Sequence, residues 1–250
     1  AFTHYLAARH FGVWRMLRVG FLAPKERFIK VKDDVKRFNR SFIPSVLGSS
    51  TSQISAFIDT LLGTFLSAGS ISYLYYANRI LQLPLALFAI ATATALFPMV
   101  AKAINNNRHD EALILLKKSF WVLAFLLATS ALGGIILAEP IMKLLFERGA
   151  FNHQDTVHSA IVLQMYMIGL IPFGLAKIFN LWLYSRHEQM KAAKISAIAL
   201  GCNALFSLAL FYPLGASGLA LAGSLTGVIL FILTIRLFGV ETFWSIIYDK

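Results

Sequence analysis

Three charged side chains lie inside long apolar runs: Asp59 in SQISAFIDTLLGTF, Arg79 in SISYLYYANRILQLPLALF and Lys177 in GLIPFGLAKIFNLWLYS. Placing a charge at the centre of a bilayer costs about 2.5–3.5 kcal/mol on insertion scales, so such a residue faces a cavity, pairs with a partner or reaches back to the surface. Arg79 has the most polar company, with Asn78 beside it, Gln82 on the same helical face, and Tyr75 and Tyr76 one turn earlier. A permanent cation among amide and phenol groups suits bidentate recognition of phosphate oxygens in a water-filled cavity, and outward snorkelling of its long side chain is the alternative. Pro84 then removes a backbone donor, which predicts a kink or opening just past this cluster. Asp59 offers an anionic oxygen that can hold a sodium ion, exchange a proton or pair with a base from another helix; Asn203 and Ser207, one turn apart, can add oxygens or bond between helices. Lys177 stands about seven residues before Tyr184, where snorkelling to the inner interface is the favoured reading, with Trp182 and Tyr184 as an aromatic belt.

Catalytic patterns are missing. The six histidines show no i, i+4 pairing, there is no GxxxxGK phosphate loop, and no serine stands in a G-x-S-x-G setting. Cys202 is the single cysteine and reads as a small buried hydrophobe. These absences give catalysis little support, and no cofactor is expected apart from a sodium ion or proton.

The elements that must position these residues are membrane spans. With 58% hydrophobic and 14% charged residues and a mean hydropathy of +0.68, the chain reads as an all-α, polytopic transmembrane bundle. Segments of about twenty apolar residues fall at 42–66, 71–101, 119–138, 156–183, 195–212 and 217–237. Residues 9–40 carry ten Lys and Arg against Glu26, Asp33 and Asp34, and 102–118 and 185–194 are also basic, whereas SAGS at 67–70, 139–155 and PLGASG carry little net charge. That alternation puts the basic connectors and both chain ends in the cytoplasm, facing anionic membrane lipid, and explains the net charge of +11 without nucleic acid. The expected organisation is the end of an earlier helix plus a basic linker over 1–40, a six-span lobe over 41–240 and a cytoplasmic tail over 241–250. NNNRHDEALILLKKS, residues 105–119, reads as a short amphipathic helix on the inner surface, and 139–149 as a short external helix started by Pro140 and stopped by Gly149. The small residues of GASGLALAGSLTG read as a close-packing face.

Three blocks in order, SQISAFIDTLLGTFLSAGSISYLYYANRILQLPLALFAIATATALFP, LFERGAF and GLAKIFNLWLYSRHE, resemble the MurJ (MviN) family of bacterial lipid II flippases within the multidrug/oligosaccharidyl-lipid/polysaccharide exporter superfamily. The resemblance implies one lobe of a two-lobed flippase, covering roughly the seventh to twelfth spans, with the N-terminal lobe missing from this chain. It further implies a place in the bacterial inner membrane, where lipid II, an undecaprenyl-pyrophosphate-linked peptidoglycan precursor, is carried to the outer leaflet by alternating access for cell wall biogenesis. By position Arg79 matches a cavity arginine, with Asn78 and Gln82 standing where several relatives carry acids; Tyr76 and Lys177 join it as expected substrate contacts. Asp59 and Asn203 match sodium ligands of some members, while Ser207 and Gly223 stand where a second acid and a threonine are expected. An exporter of drugs or other polysaccharide-lipid intermediates, and an inactive remnant, are the alternative readings.

Overall fold

A computed structural model describes residues 53–248 apart from His187, and among them every regular element is a helix. The expectations for 1–52, including the basic linker and the start of the first span, lie outside the described residues. Helix α1 covers 53–63. A turn follows in which Gly69, at φ +95°, caps α2 (Ser70–Pro84) in a conformation that a side chain disfavours. Pro84 is followed at once by a single π-helical stretch, Leu85–Ile90, before α3 (Ala91–Asn105) resumes the ordinary ladder. The opening expected past Pro84 is therefore real: the missing N–H frees a carbonyl, and the wider turn absorbs it.

Helix α4 (His109–Ile136) corrects one expectation. From His109 onward, the amphipathic stretch expected over 105–119 is the first three turns of this helix and not a separate surface helix. Its buried positions, Ala112, Leu116, Phe120, Leu123, Leu127, Ala131 and Gly134, run on at spacings of four and three without a break, and no proline or glycine interrupts the chain before Gly133. Asp110 and Glu111 in the first turn complement the helix dipole.

Helix α5 (Ala138–Phe146) is the short helix expected around Pro140, and Gly149 at φ +62° sits in the turn that follows. Helix α6 (His153–Ser185) starts on a capping box, in which the Asn152 side chain accepts from the backbone N–H groups of Gln154 and Asp155 while Asp155 accepts from Asn152 N–H. It is unbroken at Pro172 and packs against α2, α3, α4, α5 and α7. Its most apolar window is 56% buried, against 22% for that of the Ser70–Asn105 rod. Helix α6 is therefore the post of the bundle, and the rod carrying Arg79 is a wall.

Helix α7 (Gln189–Phe238) contains 50 residues, which as a straight rod would be about 75 Å long, over twice the hydrocarbon thickness. It folds back at Gly215, whose φ of 60° and ψ of −136° only glycine adopts readily. Leu183, Ala192 and Ile195 share a cluster with Leu230 and Leu233, so positions on both sides of Gly215 meet at one end. The segments at 195–212 and 217–237 are the two legs of this hairpin. Small residues fasten the second leg to α6: a Cβ on Gly169 would meet Ser224 Cα at 2.7 Å, and one on Gly227 would meet the Phe173 ring at 2.7 Å. The expected packing role of the Gly and Ala run is thus visible residue by residue.

Residues 241–248, expected as a tail, belong instead to α8 (Val240–Tyr248). Phe243 and Ile246, one turn apart, are buried on the core, and the Phe243 ring meets those of Phe120, Phe179 and Phe231. Elsewhere the outer surface is apolar, with Phe125 and Ile136 exposed to about 70%, as lipid-facing helices require.

Candidate functional site

Helix α2 divides its residues by face. Tyr73, Leu74, Ala77, Ile80 and Leu81 are buried against the bundle, and Ser72, Tyr75, Arg79 and Gln82, at spacings of three and four, are exposed on the far side. Arg79 therefore points away from the core. Its Nη2 donates to Tyr75 Oη at 3.0 Å, and its guanidinium carbon lies 4.7 Å from the centre of the Tyr75 ring. No carboxylate pairs with it among the described residues. Gln82 donates to Asn78 Oδ1, and α2 packs along α6. The amides thus bond to each other and leave the guanidinium without a carboxylate among the described residues.

Tyr76, grouped with Arg79 from the sequence, faces elsewhere. Its ring packs on Phe146 at 4.5 Å and edge-on to Phe151 at 5.6 Å, beneath the FERGAF turn. Tyr75 is the residue that the sequence reading left out of the site, and its i, i+4 spacing from Arg79 was the available signal. Lys177 stands 11 residues beyond Tyr166 on α6, about 16 Å farther along the axis. It is half-buried, with no acid paired to it among the described residues. The structure therefore brings Asn78, Arg79 and Gln82 together, adds Tyr75, and sets Lys177 at another depth.

Asp59 and Asn203 lie on neighbouring rungs between two helices, each bonded to a serine of the other helix. Ser207 Oγ donates to Asp59 Oδ1 at 2.9 Å, and Ser55 Oγ donates to Asn203 Oδ1 at 2.6 Å. The rungs pair 55 with 203 and 59 with 207, so α1 and the first leg of α7 run parallel. Asn203 and Ser207 are buried, and Asn203 Nδ2 has no partner among the described residues. Four oxygen-bearing side chains thus lie on two adjacent rungs within one helical turn. A carboxylate, an amide oxygen and two hydroxyls form an all-oxygen donor set that fits a small hard cation, and the carboxylate equally accepts a proton.

At the end of the bundle beyond Tyr73, polar side chains lock the FERGAF turn. Thr156 Oγ1 donates to Glu147 at 2.8 Å, with His153 at 3.5 Å from the same oxygen, and Tyr73 Oη donates to Asp155 at 2.7 Å. The Thr156 hydroxyl, helped by His153 and Lys143, holds the Glu147 carboxyl below the usual range. Among the described residues no three His, Cys, Asp or Glu side chains cluster as a metal site.

Comparison with known proteins gives one consistent result. The protein-family model described as "Lipid II flippase MurJ" matches residues 8–243. A probable lipid II flippase MurJ of Helicobacter pylori (strain J99) is 48% identical over 252 residues, covering 98% of this chain and 55% of the relative. Its counterpart in Haemophilus influenzae is 35% identical, covering 84% of this chain and 42% of the relative. A solved structure titled "Lipid II flippase MurJ, inward closed conformation" superposes with a TM-score of 0.73 at 25% identity, over 86% of this chain and 46% of that one. An outward-facing transporter of the multidrug resistance MATE family, 14% identical with a TM-score of 0.71 over 80% of this chain and 44% of that one, shares the fold. The chain spans about half the length of the curated relatives it matches.

Proposed function

The chain belongs to the lipid II flippase MurJ family, and from that premise we propose that it forms one lobe of a flippase carrying the undecaprenyl-pyrophosphate-linked peptidoglycan precursor from the inner to the outer leaflet of the bacterial cytoplasmic membrane. The observation that carries this reading is Arg79, an unpaired guanidinium on the outward face of a span, held by Tyr75 and flanked by Asn78 and Gln82. One of its five donors is engaged, so the rest of the fork is free for pyrophosphate oxygens. A lipid-facing guanidinium would be expensive to keep, and a wall of an aqueous cavity makes it useful. The opposite wall then belongs to a second, N-terminal lobe, with both ends of this chain in the cytoplasm.

Transport needs two states of similar stability that expose the cavity to opposite sides. The π-helical stretch after Pro84 is a ready joint, because its ladder is already interrupted directly below Arg79. Entry of sodium or a proton at Asp59 neutralises the carboxylate between α1 and α7 and so biases one packing of those helices over the other. Asp59, Asn203, Ser55 and Ser207 would hold the cation, which supplies only charge neutralisation.

The full-length gene product is expected to rescue cells depleted of their lipid II flippase. Arg79→Ala is expected to abolish rescue while membrane expression stays unchanged. Undiminished rescue by that variant would overturn the role of Arg79.

A further inference from the structure

The two motif blocks that look unrelated in sequence, YYANR and FERGAF, are joined by rings. Phe146 and Phe151 grip Tyr76, and the Tyr76 ring stands edge-on to Tyr75 at 5.7 Å. Tyr75 in turn lies under the Arg79 guanidinium and accepts its Nη2–H. The far end of this relay is anchored, since Glu147 of the FERGAF turn is tied to buried Thr156 on α6. A long arginine side chain on an open face would otherwise sample many rotamers, and ordering it costs side-chain entropy. Here much of that ordering precedes the ligand.

Resting on the proposed flippase reading, we infer that Tyr75 is a further anion-binding and positioning residue of the site, completing it as a donor. Its oxygen accepts from Arg79, so its own O–H is left to donate, and no acceptor takes that proton among the described residues. Tyr75 is exposed to 53%, on the same side as the guanidinium. A phosphate oxygen placed in the plane of the free guanidinium edge can receive both N–H and O–H donors. The pair is then a small built oxyanion receptor whose second donor is polarised by the cation beside it. Tyr76 and the FERGAF phenylalanines act on it through packing alone.

The test uses the purified full-length protein and two probes, undecaprenyl pyrophosphate and the neutral alcohol undecaprenol, with binding followed by native mass spectrometry. Tyr75→Phe keeps the ring and removes the hydroxyl at an exposed position, so folding is preserved, as an unchanged thermal midpoint will show. Pyrophosphate binding is expected to weaken about tenfold, as for a hydrogen bond to a charged group, while undecaprenol binding stays constant. In an Arg79→Ala background the same change is expected to add less than about twofold, because the two residues act as one unit. Two results would overturn the inference about Tyr75: pyrophosphate binding as tight as the parent's in Tyr75→Phe while Arg79→Ala loses it, or equal weakening of both probes. Equal pyrophosphate binding by the parent and Arg79→Ala would instead overturn the underlying reading of Arg79.

Discussion

Asp59 takes part in packing between two helices and, in the proposed reading, in coupling. Its carboxylate is bonded by Ser207, and the neighbouring Ser55–Asn203 rung keeps α1 and α7 in register. Removing the charge while keeping the shape separates the two roles. In purified full-length protein, sodium but not potassium is expected to raise the parent's thermal midpoint, and Asp59→Asn is expected to abolish that shift. A midpoint raised by acidification in place of sodium would assign the site to a proton, and indifference to both would remove Asp59 from coupling. Glu147 gives a separate acid response. Its folded pKa lies below the ordinary 4.5, chiefly through the Thr156 hydroxyl. It therefore contributes stability that is fully present above about pH 4.5 and lost as pH falls through the folded value. Thermal midpoints are expected to hold from pH 7 to 5 and drop below that, and Thr156→Val is expected to shrink the drop.

Among the helices, the breaks carry as much meaning as the runs. Pro84 and Pro172 look equivalent as helix-bending signals, yet α6 continues through Pro172 and α2 gives way to a π turn after Pro84. Pro172 lies in the helix whose apolar window is the most buried, whereas Pro84 lies on the wall with one face open. The hairpin at Gly215 rests on tighter geometry. A Cβ on Gly218 would fall 2.1 Å from the Leu210 carbonyl oxygen, a backbone atom that cannot swing aside. Gly218→Ala is expected to lower the thermal midpoint by an amount worth about 1–3 kcal/mol, the usual range for overpacking. Gly201→Ala, where the Cβ would meet nothing within 4 Å, is the control expected to leave it unchanged or raise it slightly.

In the proposed reading the bundle is one wall of a transporter, with α6 at the centre, the Ser70–Asn105 rod outside it, and the α7 hairpin fastened by glycine and serine contacts. Its orientation in the membrane can be read by labelling. In a Cys202→Ser background, a cysteine at Asn106 is expected to react only with reagent admitted to the cytoplasmic side, and one at Ala150 only with reagent outside. The reverse pattern would invert the charge-based topology.

Apolar length and basic connectors were enough to determine the helical class, the segments from 71 to 237 and the place of the short helix at Pro140, because bilayer thickness and backbone hydrogen bonding impose those features locally. Spacing also marked Arg79, Asn78, Gln82 and Asp59 as polar groups needing an environment. Only the tertiary structure decided which environment each one has. It turned Tyr76 into the FERGAF packing and Tyr75 toward Arg79, set Asp59 against Ser207 across 148 residues of chain, and docked Phe243 on the core. Adjacent residues on a helix are separated by about 100° around its axis. Whether a tyrosine binds an arginine or fills a gap therefore depends on what stands beside that face, and the neighbours come from distant parts of the chain.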